Sequence, residues 1–171
     1  MASAQTPVPA CQGAPWDAFD FWVGEWNVYA PDTEEAPGGY LGHNVIARIN
    51  GGCLITEHWT GAGGNVGDSI NIHDPLINAW RQVWMSNGWY IDYTGGLDAE
   101  GSMVLTGEAY TISTQSRAGF RGTWTPQDDG SVRQFFEQQD AEGNWQGVFT
   151  GIYVPVETDP RAEEAEAIRG G

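Results

Sequence analysis

The sequence predicts an all-β fold, an antiparallel meander closed into a barrel of about ten strands, and three observations carry the barrel. Short runs rich in β-branched and aromatic residues recur along most of the chain. The breaks between them carry turn chemistry, among them Asn50-Gly51-Gly52, Gly61–Gly64, Asn87-Gly88, Asp128-Asp129-Gly130 and Glu142-Gly143. Nearly every break is of hairpin length, and a long meander removes its two exposed edges by closing on itself.

Taken in order, Met1 to Pro15 read as a flexible leader, and Trp16 to Phe21 as a helical turn closing one end of the domain. Strands are expected at Trp22–Ala30, Tyr40–Asn50, Gly52–Thr60, Gly67–Asp74 and Ala79–Ser86. Five more are expected at Trp89–Thr94, Ser102–Ile112, Gly119–Thr125, Ser131–Gln139 and Trp145–Val156. Asp74-Pro75 and Gly95-Gly96 complete the expected breaks. The single barrel domain thus covers residues 16–156, and the acidic, Ala-rich stretch from Glu157 to Gly171 reads as a frayed helix or solvated arm.

Composition narrows the function classes. A chain of 171 residues with nine Trp, six Tyr and six Phe has enough apolar mass for a packed core and is not a disordered chain. No run approaches the ~18 apolar residues of a membrane helix. The net charge of −16 arises from 23 acids against 7 bases, all of them Arg. Counterion release at phosphates needs clustered basic side chains, so neither nucleic acid nor an anionic membrane is an expected partner. Cys11 and Cys53 do not make a disulfide framework and are expected as free thiols. The N-terminal stretch lacks the positive and apolar regions of a signal peptide, which makes the cytoplasm the expected compartment.

Hairpin geometry then sorts side chains by face. A turn centred on Gly63 sets Glu57 opposite Ser69, Ile55 opposite Asn71 and Cys53 opposite His73. A bend through Asp74–Asn78 sets Asn71 opposite Gln82, Ser69 opposite Trp84 and His73 opposite Trp80. A two-residue turn at Asn87-Gly88 sets Trp84 opposite Ile91 and Gln82 opposite Tyr93. Because side chains alternate with period two, all of these share one face with Trp59. The other face carries Thr56, His58, Ile70, Ile72, Val83 and Met85, among others. A ligand cavity is apolar and aromatic with a few placed polar groups, so the first face is expected inside. A slip of one residue would exchange the two sets.

Glu57 is the acid of most interest on that face. Enclosed by apolar neighbours, its carboxyl would have a raised pKa suited to general acid or base work; the plainer alternative is a structural ion pair with Arg121 or Arg133. Ser69, Asn71 and Gln82 form a polar row able to orient a ligand or to satisfy one another. Trp59, Trp80 and Trp84 with Tyr93 make an aromatic wall, either for a flat ligand or as core. His43, His58 and His73 fall at no recognisable ligand spacing, and neither a metal nor another cofactor is expected. The sequence contains no phosphate-binding loop, dinucleotide fingerprint or nucleophile elbow.

The opening Phe19-Asp20-Phe21-Trp22-Val23-Gly24-Glu25-Trp26 resembles the start of a widespread bacterial family of uncharacterised, calycin-like barrel proteins. The similarity continues through Gly51-Gly52-Cys53-Leu54-Ile55-Thr56-Glu57-His58-Trp59, Trp80-Arg81-Gln82-Val83-Trp84 and Arg121-Gly122-Thr123-Trp124-Thr125-Pro126, spanning Asp17 to Tyr153. The resemblance implies a barrel related to lipocalins, fatty-acid-binding proteins and haem-binding nitrobindins. It further implies that Trp26 packs against an Arg from a late strand, Arg121 or Arg133. It implies no activity, since fold analogy does not give function.

Three readings of function are open. In the first, the barrel encloses a small, largely apolar or aromatic molecule, held by Trp59, Trp80, Trp84 and Tyr93 and oriented by Glu57, Ser69, Asn71 and Gln82. In the second, the same cavity hosts a cofactor-independent lyase, isomerase, cyclase or hydrolase, with Glu57 and His73 as acid/base groups and Arg121 stabilising developing negative charge. In the third, a filled barrel uses Ile70, Ile72, Val83 and Met85 as a homo-oligomer interface.

Overall fold

The structure, a computed structural model, describes residues 11–170. Ten strands form one closed antiparallel barrel: β1 (Gly24–Tyr29), β2 (Tyr40–Ile49), β3 (Leu54–Gly61), β4 (Val66–Asp74), β5 (Ala79–Ser86), β6 (Trp89–Leu97), β7 (Met103–Thr111), β8 (Ser116–Pro126), β9 (Val132–Gln139) and β10 (Trp145–Pro155). Each strand pairs with its sequence neighbours, and β1 pairs with β10 to close the ring. No helix among the described residues is long and apolar enough to cross a membrane.

The registers are those that turn geometry dictates. Glu57 faces Ser69 and Ile55 faces Asn71 across β3–β4. Asn71 faces Gln82, Ser69 faces Trp84 and His73 faces Trp80 across β4–β5. Gln82 faces Tyr93 and Trp84 faces Ile91 across β5–β6. The face bearing Glu57 points inward, so Ile55, Glu57, Ser69, Asn71 and Gln82 are buried, while Ile70 and Met85 on the opposite face are half exposed. The expected break at Gly95-Gly96 is instead continuous strand paired with Leu105 and Val104. Gly95 is required there because a Cβ would collide with the Val104 carbonyl, a close backbone approach.

One end of the barrel is plugged by the segment that precedes β1. The chain makes a short 3-10 turn at Asp20–Trp22, which sets Phe19 and Trp22 stacked with ring centres 4.8 Å apart. Phe19 meets Trp80 and Trp124 edge-on at 5.7 and 5.3 Å, a favoured arrangement of aromatic quadrupoles. Arg48 on β2 clamps this plug: its guanidinium donates to the carbonyls of Trp16 (3.0 Å) and Gly52 (2.6 Å) and pairs with Asp20.

Three expectations are corrected here. Cys11 and Cys53 are not free thiols but a disulfide, so residues 11–15 are strapped across the plugged end rather than forming a flexible leader; Met1 to Ala10 of that expected leader lie outside the described residues. Sequence separation alone gave no sign of the pairing, because the two cysteines meet only once the leader folds over the end of β3. Of the two alternatives for the segment after β10 the structure has the helix and not the solvated arm, and it ties the segment to the barrel instead of leaving it loose. Asp159 is buried and accepts hydrogen bonds from Asn27 Nδ2 and the Tyr29 hydroxyl, both at 2.7 Å, on the outer face of β1. Arg161 lies 4.1 Å from the Tyr29 ring centre and donates to the Gly38 carbonyl, anchoring the helix α1 (Ala162–Arg169) that comes next. Finally, Trp26 does not pack on either arginine: its indole donates to the Trp22 carbonyl at 3.0 Å and its ring packs edge-on to Tyr153. Arg121 and Arg133 alternate with the inward residues Gly122 and Gln134 and so stand outside, over Trp145 and Phe135 respectively.

Candidate functional site

The end opposite the plug opens into a cavity of about 440 Å³. Its depth comes from where the large side chains sit. Phe19, Trp22 and Trp124 fill the plugged half, whereas the strands near the mouth contribute the small side chains Ala109 and Ala118. Aromatic rings make the walls: Trp59, Trp84, Trp89 and Tyr93 on one side, with Phe120, Phe136 and Phe149 on the other. Trp84 lies flat over Gly67, where a Cβ would overlap its ring, so glycine there lets the indole lie against the sheet.

The floor is a chain of hydrogen bonds directed at one carboxyl. The Tyr93 hydroxyl donates to Gln82 Oε1, and Gln82 Nε2 donates to Asn71 Oδ1. Asn71 Nδ2 donates to Ser69 Oγ (2.9 Å), which donates to Glu57 Oε2 (2.7 Å). From the other side Asn44 Nδ2 donates to Glu57 Oε1 (2.7 Å) and to the Tyr153 hydroxyl (3.2 Å), which itself donates to Gln134 Oε1 (2.8 Å). Both donors to Glu57, Ser69 and Asn44, are neutral. Burial pushes the Glu57 carboxyl up to about 7, although the Ser69 and Asn44 hydrogen bonds act in the opposite direction. The Tyr93 and Tyr153 hydroxyls are held well above their ordinary value by burial and by the nearby Glu57 charge, so both remain donors at neutral pH.

The structure divides the sequence-derived site residues into three groups. Glu57, Trp59, Gln82, Trp84 and Tyr93 line the cavity. Ser69 and Asn71 are buried beneath it and act through Glu57 and Gln82. Trp80, His73 and Arg121 lie elsewhere. Trp80 belongs to the plug, donating to the Pro15 carbonyl at 3.2 Å. His73 sits four residues along β4 from Ser69, roughly 13 Å at the strand rise, and is edge-on to Trp16 at 5.1 Å. Arg121 forms a two-bond pair with Glu137 on the outer face, at 2.7 and 2.8 Å, so it neither neutralises Glu57 nor reaches the cavity. His43 and His58 are likewise outside, against Glu25 and Asp68.

Asn44, Gln134 and Tyr153 in the floor, and Trp89, Phe120, Phe136 and Phe149 in the walls, were not expected as site residues. Extending the pairing across the Asp128–Gly130 turn would set Gln134 opposite Trp124 and Phe136 opposite Gly122, as observed. Asn44 and Tyr153 meet through ring closure between β1 and β10, which no single hairpin encodes.

The fold and site together define a closed antiparallel barrel with a plugged base and an open, aromatic interior holding one buried carboxyl. No protein-family model matches this chain, and no curated protein shows significant similarity to it.

Proposed function

We propose that this barrel binds a small, largely apolar or aromatic molecule in its open-ended cavity. The observation that carries the reading is the cavity itself, whose volume of about 440 Å³ falls within the ~300–1,000 Å³ of small-molecule sites. Aromatic walls supply contact area with little side-chain entropy to lose, and the amide and carboxyl groups of the floor orient the occupant. Kinship with the calycin-like barrels, suggested by the opening octet, belongs to this proposal, although the Trp26 environment departs from the arginine packing that kinship implies. The Cys11–Cys53 bridge favours an oxidising compartment over the cytoplasm.

The test is calorimetric titration and thermal melting with indole, naphthalene and decanol, repeated on Ala109→Trp, which fills the mouth. Saturable binding that raises the melting temperature and disappears in the filled variant is the expected result. Silence from all three probes, or binding that survives Ala109→Trp, counts against an interior site.

The raised Glu57 carboxyl also supports a second reading, proton transfer on a bound molecule without a cofactor. Glu57 alone would serve, since His73 and Arg121 lie outside the cavity. Its mark is deuterium uptake from solvent into the bound molecule, lost in Glu57→Gln; equal uptake in both proteins eliminates it.

A further inference from the structure

Glu57 is a buried acid without a counter-charge. The chain has seven basic residues, all arginine, and none of them contacts it. Arg48 is committed to the plug, Arg121 to Glu137 and Arg81 to Asp92, while Arg133 covers Phe135 on the outer face. Arg117 is at the mouth, mostly exposed and beside Glu108. A carboxylate offers about four lone-pair sites. Asn44 and Ser69 occupy two of them, one on each oxygen, and Glu57 lines the cavity.

We propose that the occupant of the cavity is a hydrophobic cation, a small aromatic or alkyl amine whose ammonium group sits on Glu57 and whose apolar body fills the aromatic walls. This rests on the binding function proposed for the cavity and narrows its ligand class. An ionised carboxylate removed from water is costly unless a charge partner accompanies it. Among the described residues no such partner reaches Glu57, so a cationic ligand completes the site. Trp59, two residues along β3 on the same face, and Tyr93 line the same cavity, and the face of an aromatic ring attracts a cation. The net charge of −16 concentrates cations near the surface and repels anionic competitors.

A neutral alcohol reaches the same lone pairs but leaves the charge uncompensated, in which case Glu57 takes a proton instead. Proton and ammonium therefore compete for one carboxyl. The groups that bear on it are Asn44 from β2 and Ser69 from β4, which hydrogen-bond to it, and Tyr93 from β6 and Tyr153 from β10, which feel its charge, with Asp68 acting through its charge from outside. The two tyrosines stay protonated, so over neutral pH the switch is Glu57 itself.

The experiment compares three ligands of one shape by isothermal titration: tryptamine, tryptophol and indole-3-acetate, on wild type at about pH 8 and about pH 5.5, bracketing the Glu57 transition. Tryptamine is expected to bind at least roughly tenfold tighter than tryptophol at the higher pH, with indole-3-acetate weakest. That preference shrinks at the lower pH, and in Glu57→Gln the affinities of tryptamine and tryptophol converge. Equal or tighter binding of tryptophol by the wild type at the higher pH overturns the amine assignment while leaving the pocket intact. Silence of all three ligands, with indole or naphthalene still binding, overturns it as well; silence of every probe removes the pocket too. The wild-type comparison decides the matter even if the variant does not fold.

Discussion

Ser69 and Glu57 face each other across the β3–β4 ladder, and the serine hydroxyl donates to the Glu57 carboxyl at 2.7 Å. That bond ends a relay that begins at the Tyr93 hydroxyl three strands away, and every member of it donates in the direction of Glu57. Such a network favours the ionised acid, whereas burial favours the neutral one, and burial is the larger effect.

The balance predicts a stability slope. The Glu57 carboxyl rises from 4.5 in the unfolded chain to about 7 in the fold, so the folded state holds its proton more tightly. Its contribution is fully present below pH 4.5 and is lost as pH rises through about 7. The span corresponds to roughly 3 kcal/mol. Glu57→Gln keeps a neutral polar group of the same size, so the difference in unfolding free energy between variant and wild type should move in favour of the variant across this window. Urea titrations of both proteins at several pH values measure it, and a difference that stays flat would mean Glu57 titrates normally.

How far the sequence revealed this arrangement depends on how locally each part is encoded. Glu57, Ser69, Asn71, Gln82 and Tyr93 lie on four strands joined by tight turns, and turn chemistry plus period two places them on one face. Asn44 and Tyr153 complete the same floor from strands 109 residues apart, joined through ring closure. Depth along the barrel was also hidden. Trp80 and Trp84 share a face and a composition, yet one is in the plug and the other at the cavity, because the plugging segment enters from only one end. Parity assigns a side, but it does not say which layer of the barrel the preceding segment fills.

The Cys11–Cys53 bridge makes the plug a tethered element. The bond closes a loop with a sequence separation of 42, for which chain entropy gives about 4 kcal/mol of stabilisation. Reduction, or the pair Cys11→Ser and Cys53→Ser, should lower the melting temperature. It should also free Trp16 and Pro15 from His73 and Trp80, raising tryptophan exposure before global unfolding. Fluorescence quenching by acrylamide with and without dithiothreitol reads both effects. Identical melting and quenching curves in the two conditions would show that the tether contributes nothing to the plug.

Asp159 holds the C-terminal segment on β1 through a single carboxylate oxygen that accepts from both Asn27 and Tyr29. Asn27 is fully buried and Tyr29 nearly so, and burial together with the Asp159 hydrogen bond pushes the tyrosine hydroxyl upward. Removing the acceptor strands two buried donors on the outer face of β1, and a hydrogen bond to a charged group contributes about 1.5–3 kcal/mol. Asp159→Ala should therefore destabilise the barrel by roughly 3 kcal/mol, while Asp159→Asn, which retains a carbonyl acceptor, should lose less. Because β1 and β10 form the closing seam, the loss should appear as faster amide hydrogen exchange at Trp26–Tyr29 and Ile152–Val154 as well as in urea unfolding. A cost within the usual ~0.5 kcal/mol of a surface substitution, with exchange at the seam unchanged, would mean that the helix rests on the barrel without securing it.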